Sequence, residues 1–213
     1  MNGRKVMTDL SRRHVVIGAG AVISALATSA FAQDGAAPDA VIRSFYDSLL
    51  SAMRKAKELG FAGRYKLLDP VIRKTFDLSA MTRISIGPQW RQIDPAVQTR
   101  LSAAFADWTI ATYASQFNGF NDEVFAVGAV KDAASGDKLV ETTLTPKGEE
   151  AIILNYQMRN SGGEWKIVDV YLTGTISELA TRRSEFTALL KSDGAEGLAK
   201  SLESRAAEMR AKP

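Results

Sequence analysis

Carboxylates are the side chains of this sequence best suited to acid–base chemistry, because the chain contains one histidine and no cysteine. That histidine, His14, lies in an N-terminal segment that has the features of a cleaved export signal. The mature chain would therefore have neither an imidazole nor a thiol. This composition argues against histidine-based triads, cysteine nucleophiles, disulfides and zinc sites built on His or Cys, and it suggests no cofactor or metal.

Asp169 is the most notable carboxylate, because it interrupts an apolar strand that runs from Trp165 to Leu172. An unpaired carboxylate is costly to bury, so it needs a partner or a task. One interpretation makes Asp169 the general base of a cone-shaped α+β enzyme that acts on a lipophilic substrate. The interpretation that we prefer is structural, because lone buried acids usually need a cation. The candidate partners are Arg159, Arg182 and Arg183.

The strand that carries Asp169 is apolar on both of its faces, so both faces must be covered or must line an apolar cavity. Strict alternation places its residues in two sets. One set is Trp165, Ile167, Asp169 and Tyr171, and the other is Val168, Val170 and Leu172.

The pattern of elements predicts helices first, then a sheet, then helices. Strands are expected over 123–131, 138–145, 151–159 and 165–172, with the last two joined by a turn at Ser161-Gly162-Gly163. Helices are expected from Pro38 to about Leu59, over parts of 62–84, from Pro95 to about Asn118, over 177–191 and over 193–209. The predicted fold is α+β: a curved four-stranded antiparallel sheet packed by several helices, with an apolar cavity between them.

Residues 1–32 resemble a cleaved export signal, with a basic start, an uncharged apolar run and an Ala30-Phe31-Ala32 cleavage site. Ser11-Arg12-Arg13 is similar to a twin-arginine signature, and both that route and ordinary secretion stay open. The mature chain would begin at Gln33, and residues 33–213 would form one domain with an ordered core at about 39–208. The whole chain has 27 basic and 24 acidic residues. The signal holds four of the former and one of the latter, so the mature chain would be neutral, which gives no electrostatic case for nucleic acid.

Six aromatic residues on the predicted sheet and long helix form either an ordinary core or the lining of a lipid-sized cavity. They are Phe105, Trp108, Tyr113, Phe117, Tyr156 and Trp165. Periodicity alone favours the core, because any packed helix shows an apolar stripe. Arg182-Arg183 would either bind a phosphate or a partner, or form a solvated pair on the helix surface.

Several segments resemble the MlaC family, also called the toluene-tolerance family. They are Tyr156–Arg159, Glu164–Val170, Gly174-Thr175-Ile176-Ser177, Arg183–Phe186, Gly197-Leu198 and, upstream, Phe105–Trp108 and Tyr113–Phe117. The segment Thr75-Phe76-Asp77-Leu78, with Met81 and Gly87-x-x-Trp90, is more similar to HpnM, the branch associated with hopanoid biosynthesis.

The resemblance implies a periplasmic carrier, not an enzyme, that holds a phospholipid or a hopanoid-related lipid by its acyl chains. It also implies an inner-membrane transporter component and an outer-membrane partner. The expected cavity residues are the six aromatic residues together with three aliphatic residues of the last strand. Those three are Val168, Val170 and Leu172.

Overall fold

The computed structural model describes residues 35–211, so the predicted signal, its cleavage site and the start at Gln33 lie outside the described residues. Helices α1 (Pro38–Arg54), α2 (Ala56–Thr75), α3 (Leu78–Ile86) and α4 (Pro95–Gln116) come first, with a 3₁₀ turn at Gly87–Gln92. Strands β1 (Val124–Asp132), β2 (Lys138–Thr145), β3 (Ile152–Ser161), β4 (Glu164–Leu172) and β5 (Ile176–Ser177) follow, with a short 3₁₀ turn at Ala134–Gly136. Helix α5 (Glu178–Ala211) ends the described chain.

The sheet is an antiparallel meander in the order β1-β2-β3-β4-β5, which confirms the α+β class. It has five strands rather than the predicted four, because the exit after β4 turns back and pairs Tyr171 with Ser177. The β3–β4 turn forms as predicted: Gly162 and Gly163 have φ values of 64° and 92°. Two consecutive positive φ angles suit a two-residue hairpin, and glycine adopts them at little steric cost.

A β-bulge in β4 breaks the alternation that the sequence predicts. Met158 pairs with Ile167 and Gln157 pairs with Asp169, so Val168 is the extra residue. An extra residue reverses the side on which the following residues point. Ile167 therefore shares a face with Val170, and the prediction that Ile167 shares a face with Asp169 is wrong.

Two aspartates begin helices as their positions in the sequence suggest. The Asp77 carboxylate accepts a hydrogen bond from the Ala80 amide at 2.9 Å, and the Asp94 carboxylate accepts one from the Ala96 amide at 2.8 Å. Each satisfies an amide that has no partner inside its helix. The Asp94 cap fixes the start of α4, the helix that packs most extensively against α5.

Helix boundaries differ from the prediction at both ends of the domain. Helix α1 ends at Arg54 rather than near Leu59, and Gly60, with φ 58°, interrupts α2. The two predicted C-terminal helices form a single run, α5, broken at Gly194, where φ is 69°. Among residues 35–211 no helix is both long enough and apolar enough to cross a bilayer.

The core lies where α1, α2 and α4 pack on one face of the sheet. Phe45 is its centre, with ring centroids of Phe76, Tyr113 and Tyr156 within 6.4 Å. Most of these pairs meet edge to face, the arrangement that aromatic rings prefer. This closely packed aromatic cluster forms one end of an apolar cavity between the sheet and α4.

Candidate functional site

An apolar cavity of about 390 Å³ lies between the sheet, α4 and the first turns of α5. Its volume falls within the range of ligand-binding pockets, which is roughly 300–1,000 Å³. Phe76 and Met81 line its inner end, where the solid core begins.

One wall of the cavity is a continuous stripe of α4 at helical spacing. It consists of Phe105, Trp108, Thr109, Thr112, Tyr113, Gln116 and Phe117. The hydroxyls of Thr109 and Thr112 donate to the carbonyl oxygens of Phe105 and Trp108, each at 2.8 Å. Because the helix itself accepts these hydrogen bonds, the threonines need no polar partner in the cavity.

The opposite wall comes from the strands. Tyr156 pairs with Val170 and Leu154 pairs with Leu172 across β3 and β4, and all four line the cavity with Leu144 and Ile152. Directly paired residues point to the same side of a sheet. The wall is therefore apolar because the paired side chains of Tyr156, Val170, Leu154 and Leu172 all point to the cavity side of the sheet.

Glu178 and Arg182 are the charged side chains that line this cavity within residues 35–211. They lie one turn apart on α5 and form an ion pair at 3.3 Å. The Arg182 guanidinium lies over the Trp108 ring, 4.0 Å from its centroid. Burial lowers the pKa of Arg182, although Glu178 and Glu185 act in the opposite direction.

Two tyrosines of the cavity stay neutral. Burial raises the pKa of Tyr113, with smaller contributions from Tyr46 and the Glu178 carboxylate. Burial also raises the pKa of Tyr156, helped by Tyr113 and Tyr46. Neither hydroxyl is activated as a base, since an activated tyrosine needs a lowered pKa.

Asp169 pairs with none of the arginines within residues 35–211, so the prediction of a pair with Arg159, Arg182 or Arg183 is wrong. Its carboxylate, which belongs to a residue only 8% exposed, accepts hydrogen bonds from the Ser177 hydroxyl at 2.5 Å and from the amides of Val170 at 2.8 Å and Leu179 at 3.2 Å. The Ser177 oxygen in turn accepts from the Ala180 amide at 2.9 Å. Asp169 and Ser177 together thus satisfy the Leu179 and Ala180 amides at the start of α5.

Two of the three candidate arginines have other partners, and the third, Arg183, lies against Gly87. Arg159 donates to Asp137, and Arg182 pairs with Glu178. Asp169 pairs with Gln157 on the sheet face opposite Tyr156 and Val170, and it lies outside the cavity lining. The interpretation of Asp169 as a general base in the pocket therefore lacks the geometry that it requires.

The structure brings seven of the nine sequence-predicted cavity residues to one cavity. They are Phe105, Trp108, Tyr113, Phe117, Tyr156, Val170 and Leu172. Val168, the bulge residue, is buried outside the lining. Trp165 lines a separate depression beside α1 and α2, near Val41 and Val71.

Sequence reasoning missed several lining residues. Thr109, Thr112 and Gln116 fall on the same helical stripe as Phe105 and Trp108, so a strict helical period would have included them. Leu154 and Ile152 fall two and four residues before Tyr156, in phase along β3. Glu178, Leu179 and Arg182 had no such signal, because the fold of the β4–α5 connection decides where they point.

Comparisons with known proteins agree with this architecture. The family model for the MlaC protein matches residues 43–204. A solved structure of a phospholipid-binding protein from Ralstonia solanacearum, in complex with a phospholipid, is similar with a TM-score of 0.72. The likeness covers 82% of this chain and 99% of that chain at 24% identity, and it shows a shared fold. Because the family model spans most of the sequence and the cavity-forming elements all lie within the match, the chain belongs to the MlaC family.

Proposed function

We propose that this protein is a periplasmic lipid carrier that holds the acyl chains of a phospholipid in the cavity between α4 and the sheet. The observation that carries the proposal is the apolar cavity itself, walled by an α4 stripe and by paired strand residues. The phospholipid in the related Ralstonia solanacearum structure supports the choice of ligand.

The energetics suit a carrier. Burying one methylene contributes about 0.8 kcal/mol, so about ten buried methylenes contribute about 8 kcal/mol before the entropic cost of ordering the chain. Retention on this basis needs no charge inside the cavity. The composition of the cavity walls is consistent with this, since the charged lining residues within 35–211 are Glu178 and Arg182 on α5.

Transport is the second part of the proposal. The export signal predicted at residues 1–32 would deliver the chain to the periplasm. There it would exchange lipid with an inner-membrane transporter component and an outer-membrane partner. A hopanoid-related lipid is the alternative cargo, on the basis of the HpnM-like segment around Phe76 and Trp90.

The experiment is lipid identification on the exported protein. The full chain is expressed with its N-terminal segment in a Gram-negative host and purified from the periplasm without detergent. Native mass spectrometry should show a protein–lipid complex, and solvent extraction should release a glycerophospholipid. Recovery of a hopanoid would change the cargo. A lipid-free protein that also takes up nothing from vesicles would contradict the proposal.

An enzymatic role is the rival function, and it makes a different prediction. The Asp169 carboxylate is occupied by Ser177 and by the amides of Val170 and Leu179. A carrier should return its lipid chemically unchanged. Extraction after long incubation with a defined phospholipid tests this, because hydrolysed or rearranged lipid would favour the enzyme.

A further inference from the structure

The polar end of the cavity is a matched pair of opposite charges. Glu178 and Arg182 both line the cavity, and their side chains are 28% and 27% exposed, so a ligand can reach them. The pair has no net charge. Both residues lie in the first two turns of α5, at a position fixed by the hydrogen bonds from Ser177 and Leu179 to Asp169.

The Arg182 guanidinium is oriented but incompletely paired. Its plane lies over the Trp108 ring, and its contact with Glu178 is a single hydrogen bond at 3.3 Å. Charge-assisted hydrogen bonds are usually shorter, at about 2.7–2.9 Å, and a guanidinium has five N–H donors. Burial lowers the pKa of Arg182 in spite of the opposing effects of Glu178 and Glu185. A phosphate offers the paired oxygens that fit this donor set.

The Glu178 carboxylate also faces the cavity. It acts on the Tyr113 hydroxyl, contributing to the raised pKa of that residue. A carboxylate that gives up its guanidinium contact to an incoming phosphate needs a cation in return. A headgroup that carries an ammonium next to its phosphate supplies one.

We propose that Glu178 and Arg182 select the headgroup of the bound lipid. Arg182 binds the phosphate and Glu178 binds the ammonium of a zwitterionic aminophospholipid such as phosphatidylethanolamine. The acyl chains extend between α4 and the strands. This inference rests on the proposed function, and it adds a preference for zwitterionic over anionic phospholipids.

Arg183 provides a matched control. It has the same charge and follows Arg182 directly, but it lies against Gly87 at the end of α3, outside the cavity lining. An effect that depends only on the charge of this helix would appear in Arg183→Gln as well. An effect of the cavity pair would not.

The test is competitive uptake. Delipidated protein is incubated with vesicles of equimolar phosphatidylethanolamine and phosphatidylglycerol that have identical acyl chains, and it is then re-isolated. Bound lipids are counted by mass spectrometry. The wild type should bind phosphatidylethanolamine in roughly fivefold excess, the ratio expected for one partly exposed ionic contact. Glu178→Gln should remove this excess while the total bound lipid stays similar, and Glu178→Asp should keep part of it.

Arg182→Gln gives a second readout. It should reduce binding of both phospholipids by roughly fivefold and leave binding of diacylglycerol, which has no phosphate, unchanged. Arg183→Gln should match the wild type in both assays. Circular dichroism verifies that each variant is folded.

Two outcomes distinguish the headgroup preference from the carrier function. If the wild type binds lipid without preferring phosphatidylethanolamine, or if Glu178→Gln keeps the preference, the headgroup inference is overturned and the carrier stands. If the wild type binds no lipid at all, the carrier is overturned and the inference falls with it.

Discussion

The two faces of the β3–β4 hairpin are built from neighbouring residues but serve opposite purposes. On one face, Tyr156, Val170 and Leu172 line unfilled apolar space. On the other, Asp169 has hydrogen-bonding partners for both carboxylate oxygens. Gln157 likewise donates to Asp137 and accepts from Tyr171.

The difference shows where the polar groups of this hairpin are used. On the outer face they fasten strands to each other and to α5, which is a structural task. The inner face instead provides an apolar cavity wall and carries no polar group placed for a reaction. This division favours binding over catalysis, and it can be tested by changing one face at a time.

The largest effect should come from removing the Asp169 carboxylate. Asp169→Ala leaves the Ser177 hydroxyl and the Leu179 amide without their acceptor in a buried region, at a cost of about 3 kcal/mol in the free energy of unfolding. Urea denaturation measures this change. Asp169→Asn, which keeps one carbonyl oxygen, should lose less. An unchanged stability in Asp169→Ala would end the assignment of Asp169 as a structural residue.

Filling the cavity on the inner face should strongly reduce lipid binding without a comparable loss of stability. Leu154→Trp inserts a large side chain into the cavity and should reduce recovered lipid by about tenfold, equivalent to about 1.4 kcal/mol of binding free energy. Ile153→Trp, on the opposite face of the same strand, is the control and should retain lipid. Equal losses in both variants would mean that the cavity is not the binding site.

Acid should weaken the outer face and spare the inner face. The Arg159 guanidinium holds the pKa of Asp137 below its ordinary 3.8, with Gln157 helping and burial opposing. A lowered folded-state pKa gives stability that is present above the unfolded-state pKa and is lost as the pH falls through the folded-state value.

Asp137→Asn should therefore cost about 1 kcal/mol at pH 7, and its difference from the wild type should shrink below about pH 4. Denaturation midpoints at several pH values measure this. The lipid bound per folded molecule should stay constant over the same range. A fall in occupancy while the protein remains folded would tie total binding to a carboxylate, either one on the outer face or Glu178 in the cavity lining.

The smallest effect is expected at Trp165. The sequence places it with the cavity residues, but the structure places it beside α1 and α2. Trp165→Phe should change lipid occupancy by less than about twofold, within the usual range for a conservative change at a distance from a site. A loss similar to that of Leu154→Trp would show that the second depression takes part in binding.

Helix starts, the hairpin turn and most strand positions could be predicted because they depend on local chemistry. Asp77 and Asp94 are the N-cap residues of α3 and α4, a position that aspartate favours. Consecutive glycines likewise suit a tight turn. The apolar stripe of α4 that lines the cavity could likewise be predicted from the helical spacing of its aromatic residues. A sequence does not, however, distinguish a filled stripe from an unfilled one, because that depends on how closely the sheet approaches.

The wrong predictions about Asp169, and the charged residues missing from the predicted cavity, involve the bulge and the connection after β4. An extra residue in one strand leaves no compositional mark, so strict alternation put Asp169 on the face of Ile167. The arginine partner was expected only because a lone buried acid usually needs a cation. The partner is instead Ser177, which comes close only because β5 turns back along β4. Glu178 and Arg182 reach the cavity for the same reason.

The bulge at Val168 also decides whether the cavity wall formed by β4 is apolar or carries a carboxylate. If the same sequence alternated regularly after Ile167, without the bulge, the next inward side chain of β4 would be Asp169 instead of Val170. The apolar wall would then carry a carboxylate at its centre. The bulge thus separates an apolar cavity wall from a wall with an acidic group, and a change of strand pairing that straightened β4 would alter the chemistry of the cavity more than most point substitutions.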